Sequence, residues 1–392
     1  MMKKFILRTL LFLTIPVLYA GIGELYLSNL KETTSIEEVT DIQKNSPKEL
    51  YYGRQILGNS LSNYKLTMFQ KKQPNIITLG QSITLQFRDF MFEPYEGEFY
   101  NTGLMVRNIV DLEYVVTKFE ENELRKPKFI LLGTDLSFVL KTSILDKQEF
   151  TRTPPIDRAT ESRSHLKGIQ NLYLSAKLRR APSNDLGFGK SGMEGRGYRR
   201  DGSYRHKPEI EKYAETKEYH DGNLINKLHS QQSPFLMPME YESAKEDRFL
   251  LVLKRFRALD IDLLLYFPPY SDEFFNQAKQ NIQFMHFWKK YISFQSKLID
   301  LDYDVIPFTT PSNLGLTDDY MVDAEHPSEV MSAIQLYKYC KNANPMNATL
   351  DQLTFEKLEM LFNDPNTFPI SFLVDSISQP IKNNLKKEIW VQ

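Results

Sequence analysis

Cysteine is almost missing from this chain: Cys340 is the only one in 392 residues. A lone thiol excludes an intramolecular disulfide and any thiolate metal cluster. It carries no compartment signal, because an exported protein need not use disulfides. Net charge is equally scarce. Forty-nine Lys and Arg face 50 Asp and Glu, leaving −1, so nothing pulls the chain globally toward nucleic acid. The six histidines include no pair at ligand spacing, and no metal is expected. Glycine-rich phosphate loops of the Walker or dinucleotide type are absent, as are internal repeats and heptads. No cofactor is expected.

The chain does carry enough apolar material to fold. Its 41% hydrophobic and 25% charged residues are the balance of a globular protein with a buried core. Its length fits one large domain or two ordinary ones. The N-terminus begins with Lys3, Lys4 and Arg8, and residues 9–23 then carry no charge. Residues 1–27 are expected to form a signal anchor, a transmembrane helix with its ends lengthened by snorkelling of Arg8 and Glu24. Cleavage as a signal peptide is the alternative, although Leu18 and Ala20 suit a cleavage site poorly. Basic residues before the span and acidic ones after it imply a single-pass membrane protein with its main domain outside the cytoplasm.

Residues 28–70 read as a polar stalk and lead-in. Short, almost wholly apolar runs then follow at 75–79, 99–101, 128–132, 261–267 and 303–308. Such runs suit strands buried on both faces of a parallel sheet. Helical patterns alternate with them, at 83–92, up to about 118, 247–259, 274–299 and 327–340. The expected architecture is α/β, a doubly wound sandwich with a mostly parallel sheet over 71–342. Residues 151–246 interrupt it as a basic insertion. Between 152 and 207 there are 13 Lys or Arg against 5 Asp or Glu. Residues 343–392 read as a polar tail.

Ser82 follows the run 75–79 after Gly80-Gln81, at the carboxyl end of an expected strand, where ligands gather in open α/β sheets. It is expected to open a helix whose N–H groups suit an oxyanion. A plain helix cap is the structural alternative. Gly58-Asn59-Ser60 is a rival lacking a comparable strand. A serine nucleophile needs a base and a group to orient it. Of the histidines only His326 has an aspartate three residues earlier, Asp323. On one turn the pair can converge on a hydroxyl.

Together, Gly80-Gln81-Ser82, Phe99-Tyr100-Asn101-Thr102-Gly103 and Asp323-x-x-His326 resemble the blocks of the SGNH (GDSL-like) hydrolase superfamily, over residues 70–342. The resemblance implies a flavodoxin-like fold and ester hydrolysis or acyl transfer. It implies a triad of Ser82, His326 and Asp323, with an oxyanion hole from Ser82, Gly103 and Asn101. The third block departs from the pattern, since Asp135 stands where the superfamily has an asparagine donor. An ionised Asp135 would repel an oxyanion, so the donor is lost or Asp135 serves as a turn or cap carboxylate. The stretch from Gly197 to Tyr204 resembles a membrane-tethered branch that acts on envelope glycans, often beside a membrane-bound O-acyltransferase. Arg199, Arg200, Tyr204 and Arg205 are then candidates for an anion-binding or sugar-binding rim, or simply a solvated face. Esterase, acyltransferase and an inactive glycan-binding scaffold of the same fold all stay open.

Overall fold

The structure is a computed structural model. It describes residues 2–57, 61–92, 99–141, 166–170, 186–206, 224–232, 235 and 239–342. The 343–392 tail, the Gly58-Asn59-Ser60 rival and much of the expected insertion lie outside these residues. The strands are β1 (Tyr51–Tyr52), β2 (Ile76–Leu79), β3 (Phe99–Asn101), β4 (Phe129–Gly133), β5 (Gly187–Phe188), β6 (Gly197–Tyr198), β7 (Tyr204–Arg205), β8 (Asp262–Tyr266) and β9 (Asp304–Ile306). The helices are α1 (Met2–Asn29), α2 (Ile36–Asn45), α3 (Leu61–Lys72), α4 (Ile109–Glu120), α5 (Gly189–Met193), α6 (Leu224–His229), α7 (Ser243–Ala258), α8 (Asp272–Ala278), α9 (Ile282–Asp300) and α10 (Glu329–Asn342). The chain divides into two compact units, Met1–Thr67 with Thr153–Arg200, and Met68–Arg152 with Asp201–Gln392.

The first unit corrects two expectations. Its α1 covers the expected anchor, yet among the described residues no helix is long and apolar enough to cross a membrane. Lys3, Lys4, Arg8 and Glu24 all fall within α1. The charge-free run between Arg8 and Glu24 spans about 22 Å at 1.5 Å per residue, against a hydrocarbon core of about 30 Å. This overturns the expected transmembrane signal anchor at residues 1–27. The single-pass location drawn from it goes too. The expected stalk is also folded. Ser35 caps α2, its hydroxyl accepting the Glu38 N–H at 3.2 Å, the first half of a Ser-x-x-Glu capping box. Glu32 is fully buried and its carboxylate accepts the backbone N–H groups of Gln55, Ile56, Leu57 and Lys190. In a small sheet β1 pairs parallel with β5 and antiparallel with β6.

The second unit holds a five-stranded parallel sheet of order β3-β2-β4-β8-β9. Numbered within the sheet this is 2-1-3-4-5, so the strand order reverses between β2 and β4. All of β2 and β4 is buried, as their apolar sequences require. Strand residues alternate in direction. Ile76, Leu131, Leu264, Tyr266 and Ile306 join one cluster with Phe87, Phe92 and, from α10, Val330, Met331, Ile334 and Tyr337. Elsewhere α4 meets α7 through the Phe119–Phe256 ring contact and a two-pronged Arg248–Glu113 pair at 2.8 and 2.7 Å. The expected helix at 274–299 is two helices, α8 and α9, parted where Asn281 caps α9 by accepting the N–H groups of Gln283 and Phe284.

The expected helix at 83–92 is likewise replaced, by two single 3₁₀ turns, Ser82–Thr84 and Asp89–Phe92. The second carries Asp89, whose pKa is pushed up to about 7, first by burial and then by the neighbouring Asp201 carboxylate. The folded chain therefore prefers Asp89 protonated. That preference stabilises it fully below the ordinary value of 3.8 and is lost as pH rises through about 7. Asp89→Asn stays neutral and can still accept the Phe90 N–H. It is expected to raise the thermal midpoint at pH 8, with the difference vanishing near pH 4. An equal midpoint shift at both pH values would show that ionisation plays no part.

Candidate active site

The nucleophile candidate is placed by backbone geometry. Gly80 ends β2 at φ +146, and a Cβ there would sit 3.2 Å from the Gly133 carbonyl on β4. Only glycine turns the chain at this point without strain. Gln81 and Ser82 follow directly, beyond the carboxyl ends of β2 and β4, where the strand order reverses. Such a crevice is the general ligand site of open α/β sheets. Ser82 heads a turn of three residues rather than a helix, so no helix dipole acts there. Its N–H makes no hydrogen bond to a described residue.

The base candidate comes from the turn before α10. That turn is closed by a bridge between Met321 and Pro327 and by the Val322 N–H donating to the His326 carbonyl at 2.8 Å. Within it Asp323 Oδ1 accepts the backbone N–H groups of Glu325 and His326 at 3.0 and 2.9 Å. The same carboxylate meets His326 Nδ1 at 2.8 and 2.9 Å. His326 Nε2 lies 2.8 Å from Ser82 Oγ. A contact spanning 244 positions thus joins residues that the sequence offered only as two separate motifs.

The charges around the imidazole are uneven. Burial opposes its charged form, but the charge and hydrogen bond of Asp323 outweigh it, aided by Glu325 and Asp135, and the His326 pKa rises to about 9. Asp323 shows the converse. Burial would raise its pKa, yet the charge and hydrogen bond of His326 hold it below the usual carboxylate value. Burial pushes Glu325 and Asp135 up.

No protein family, curated protein or solved structure gives a match to this chain. The site therefore rests on its own geometry.

Two of the expected oxyanion donors are spent elsewhere. The Gly103 N–H donates to Asn101 Oδ1 at 2.8 Å. Asn101 is fully buried, and its Nδ2 donates to the Thr84 and Phe87 carbonyls at 2.7 and 2.8 Å. Asn101 thus pins the segment that follows Ser82. Asp135 caps the 3₁₀ turn Leu136–Phe138 by accepting the Ser137 N–H at 2.8 Å, which is the cap alternative for that residue. Gln81 Nε2 reaches Asp135 Oδ1 at 2.9 Å, Ser137 Oγ at 2.5 Å and the Arg107 carbonyl at 2.9 Å. This amide ties the residue before Ser82 to the loops after β3 and β4. The sequence reading gave Gln81 no role, because its three partners are distant in the chain.

The expected arginine rim divides. Arg199 and Arg200 belong to the first unit. There Arg199 is buried, at 4% exposure, and the Arg200 guanidinium donates to the Ser46 carbonyl at the end of α2. Tyr204 and Arg205 belong to the second unit, the one that holds the triad. The Tyr204 N–H donates to the Leu85 carbonyl at 3.1 Å and its carbonyl accepts Gln86 Nε2 at 3.1 Å. His206, which the motif reading passed over, has its ring centroid 6.1 Å from that of His326. No group of acidic, histidine or cysteine side chains among the described residues could hold a metal ion.

Proposed function

We propose that this protein is a serine esterase or O-acyltransferase working through Ser82, His326 and Asp323. The observation that carries this reading is the continuous chain of contacts from Ser82 Oγ to His326 Nε2 and from His326 Nδ1 to Asp323. Its position supports the same reading, at the reversal of a 2-1-3-4-5 parallel sheet, the flavodoxin-like order. The resemblance to SGNH hydrolases agrees with it. That resemblance alone suggests a carbohydrate as the acylated partner.

The proposed chemistry follows from the contacts. Asp323 accepts the Nδ1 hydrogen, leaving neutral Nε2 as the base. The Ser82 hydroxyl gives its proton to Nε2 as Oγ bonds to the ester carbonyl carbon. The tetrahedral oxyanion would take the unbonded Ser82 N–H. Collapse breaks the bond to the leaving alcohol, which departs with the proton from Nε2. The acyl-Ser82 then passes its acyl group to water or to a second hydroxyl, with His326 taking and returning the proton again.

A second reading has its own observation. With Gly103 and Asn101 engaged in structure, the hole is short of donors, and one missing donor costs about 10²–10³ in rate. An inactive scaffold of the same fold would look like this. Labelling of the purified chain with a fluorophosphonate, beside Ser82→Ala and His326→Ala, separates the two. Labelling lost in both variants supports the enzyme. An unlabelled but folded wild type supports the scaffold.

A further inference from the structure

Gln81, the residue before Ser82, is fixed at both its side chain and its carbonyl. The side chain is buried. Its Nε2 meets Asp135 Oδ1 and the Arg107 carbonyl at 2.9 Å, and Ser137 Oγ at 2.5 Å. A carboxylate and a carbonyl can only accept, so the amide must turn its nitrogen toward them. Its two hydrogens serve Asp135 and Ser137, and the Ser137 hydroxyl donates in turn to the Arg107 carbonyl at 3.1 Å. At the backbone, the Gln81 carbonyl accepts the Thr84 N–H and hydroxyl at 3.2 and 2.9 Å.

Both anchors bear on the reaction. The Gln81 carbonyl and the Ser82 N–H belong to one planar peptide and point opposite ways in its trans form. Two donors on the carbonyl therefore also aim the N–H, the hydrogen offered to the oxyanion. The side-chain anchor reaches the base through Asp135. That loop is pinned by the Tyr291 hydroxyl, which donates to the Thr134 carbonyl at 2.6 Å, and the Asp135 charge acts on His326. The other titratable groups that interact with Asp135 are Glu325 from the turn before α10, Tyr270 from the loop after β8 and Tyr291 from α9. Burial drives Asp135 toward its neutral form. The hydrogen bonds from Ser137, the charge of His326 and the hydrogen bond from Gln81 oppose that.

We infer that Gln81 is a positioning residue for the proposed reaction, which aims the Ser82 N–H at the oxyanion and holds Asp135 in place beside His326. This rests on the esterase or transferase reading. Gln81 itself takes no part in bond making.

The test uses the full chain with p-nitrophenyl acetate as substrate. Gln81→Met keeps the length of the side chain and removes its N–H groups. Its kcat should fall about 10- to 100-fold, the scale of a misplaced catalytic group. KM should stay within about twofold, because the Ser82 N–H bonds the oxyanion and not the bound ester. The inflection of kcat/KM, expected at about 9 in the wild type, should move to lower pH. Without the Gln81 donor Asp135 is neutral over more of the range, and His326 loses a charge that holds its proton. A side chain that served only the fold would leave the inflection in place. Gln81→Glu keeps the size of the group but donates only while protonated. Two carboxyl groups so close share a proton, so its kcat relative to wild type should hold near about pH 6 and fall away by about pH 9. Circular dichroism shows whether each variant folds, and Gln81→Glu carries the test if Gln81→Met does not. Wild-type kcat in Gln81→Met would overturn the inference. So would a lower kcat with an unmoved inflection, or a Gln81→Glu ratio that does not change with pH. A wild type that neither hydrolyses the ester nor takes a fluorophosphonate overturns the esterase reading itself. A wild type that does both, matched by Gln81→Met, overturns this inference alone.

Discussion

Replacing Ser82 with alanine is expected to remove ester turnover almost completely, by a factor on the order of 10⁵–10⁶ in kcat, the loss seen when a triad nucleophile is deleted. The basis is geometric. Ser82 Oγ is the group 2.8 Å from His326 Nε2, and the adjacent Gln81 cannot replace it, because its amide is committed to three partners in the loops after β3 and β4. Asp323→Asn should cost about 10⁴. Its side chain would still accept the backbone N–H groups of Glu325 and His326 at one oxygen, so the turn should persist. An amide facing Nδ1 favours the wrong tautomer, however, and Nε2 would then carry the hydrogen when it should accept one. Steady-state hydrolysis of p-nitrophenyl acetate, with circular dichroism to show that both variants fold, measures this. Turnover surviving in Ser82→Ala at more than a hundredth of wild type, about 2.7 kcal/mol, would remove Ser82 from the chemistry.

Thermal unfolding provides a separate check on how the site is held. Gly202→Ala must adopt a left-handed backbone and push its Cβ against the Asn101 carbonyl. The backbone term alone is worth about 1–3 kcal/mol. A lowered midpoint is expected, with part of the activity lost because Asn101 also fixes Thr84 and Phe87. A midpoint equal to wild type would mean that the turn at 202 does not hold this segment.

The parallel sheet was legible because its strands are apolar on both faces, and the Asp323-x-x-His326 spacing was legible because both residues sit on one turn. The segment after Ser82 was not. Ile83, Phe87 and Phe90 are all buried, and their i, i+4, i+7 spacing imitates an amphipathic helix. What holds them is the Asn101 side chain from a neighbouring strand, a non-local bond that periodicity does not record. The fold of residues 28–57 was hidden in another way. Glu32 looks like a surface charge in the sequence but binds four distant backbone N–H groups. One local signal was present there, the Ser35-x-x-Glu38 cap.

The pH profile should be displaced by the same carboxylates. A base that takes the Ser82 proton must be neutral, and His326 titrates at about 9 instead of 6.5. At pH 7 only about one molecule in a hundred then has a usable base. The value of kcat/KM is expected to climb about tenfold per pH unit from pH 7 and level off above 9, since protonation of the free enzyme's base governs that parameter. Below the inflection the imidazolium donates Nε2–H toward Ser82 Oγ and the hydroxyl cannot be activated. Glu325→Gln removes one of the charges that hold the proton, without touching the contacts of Asp323. Its inflection should move to lower pH and its activity at pH 7 should rise, an unusual direction for a substitution beside an active site. Asp135→Asn should move the profile the same way, because its carboxylate also raises the imidazole pKa. An inflection near 6.5 in the wild type, unmoved in either variant, would show that His326 does not feel these carboxylates.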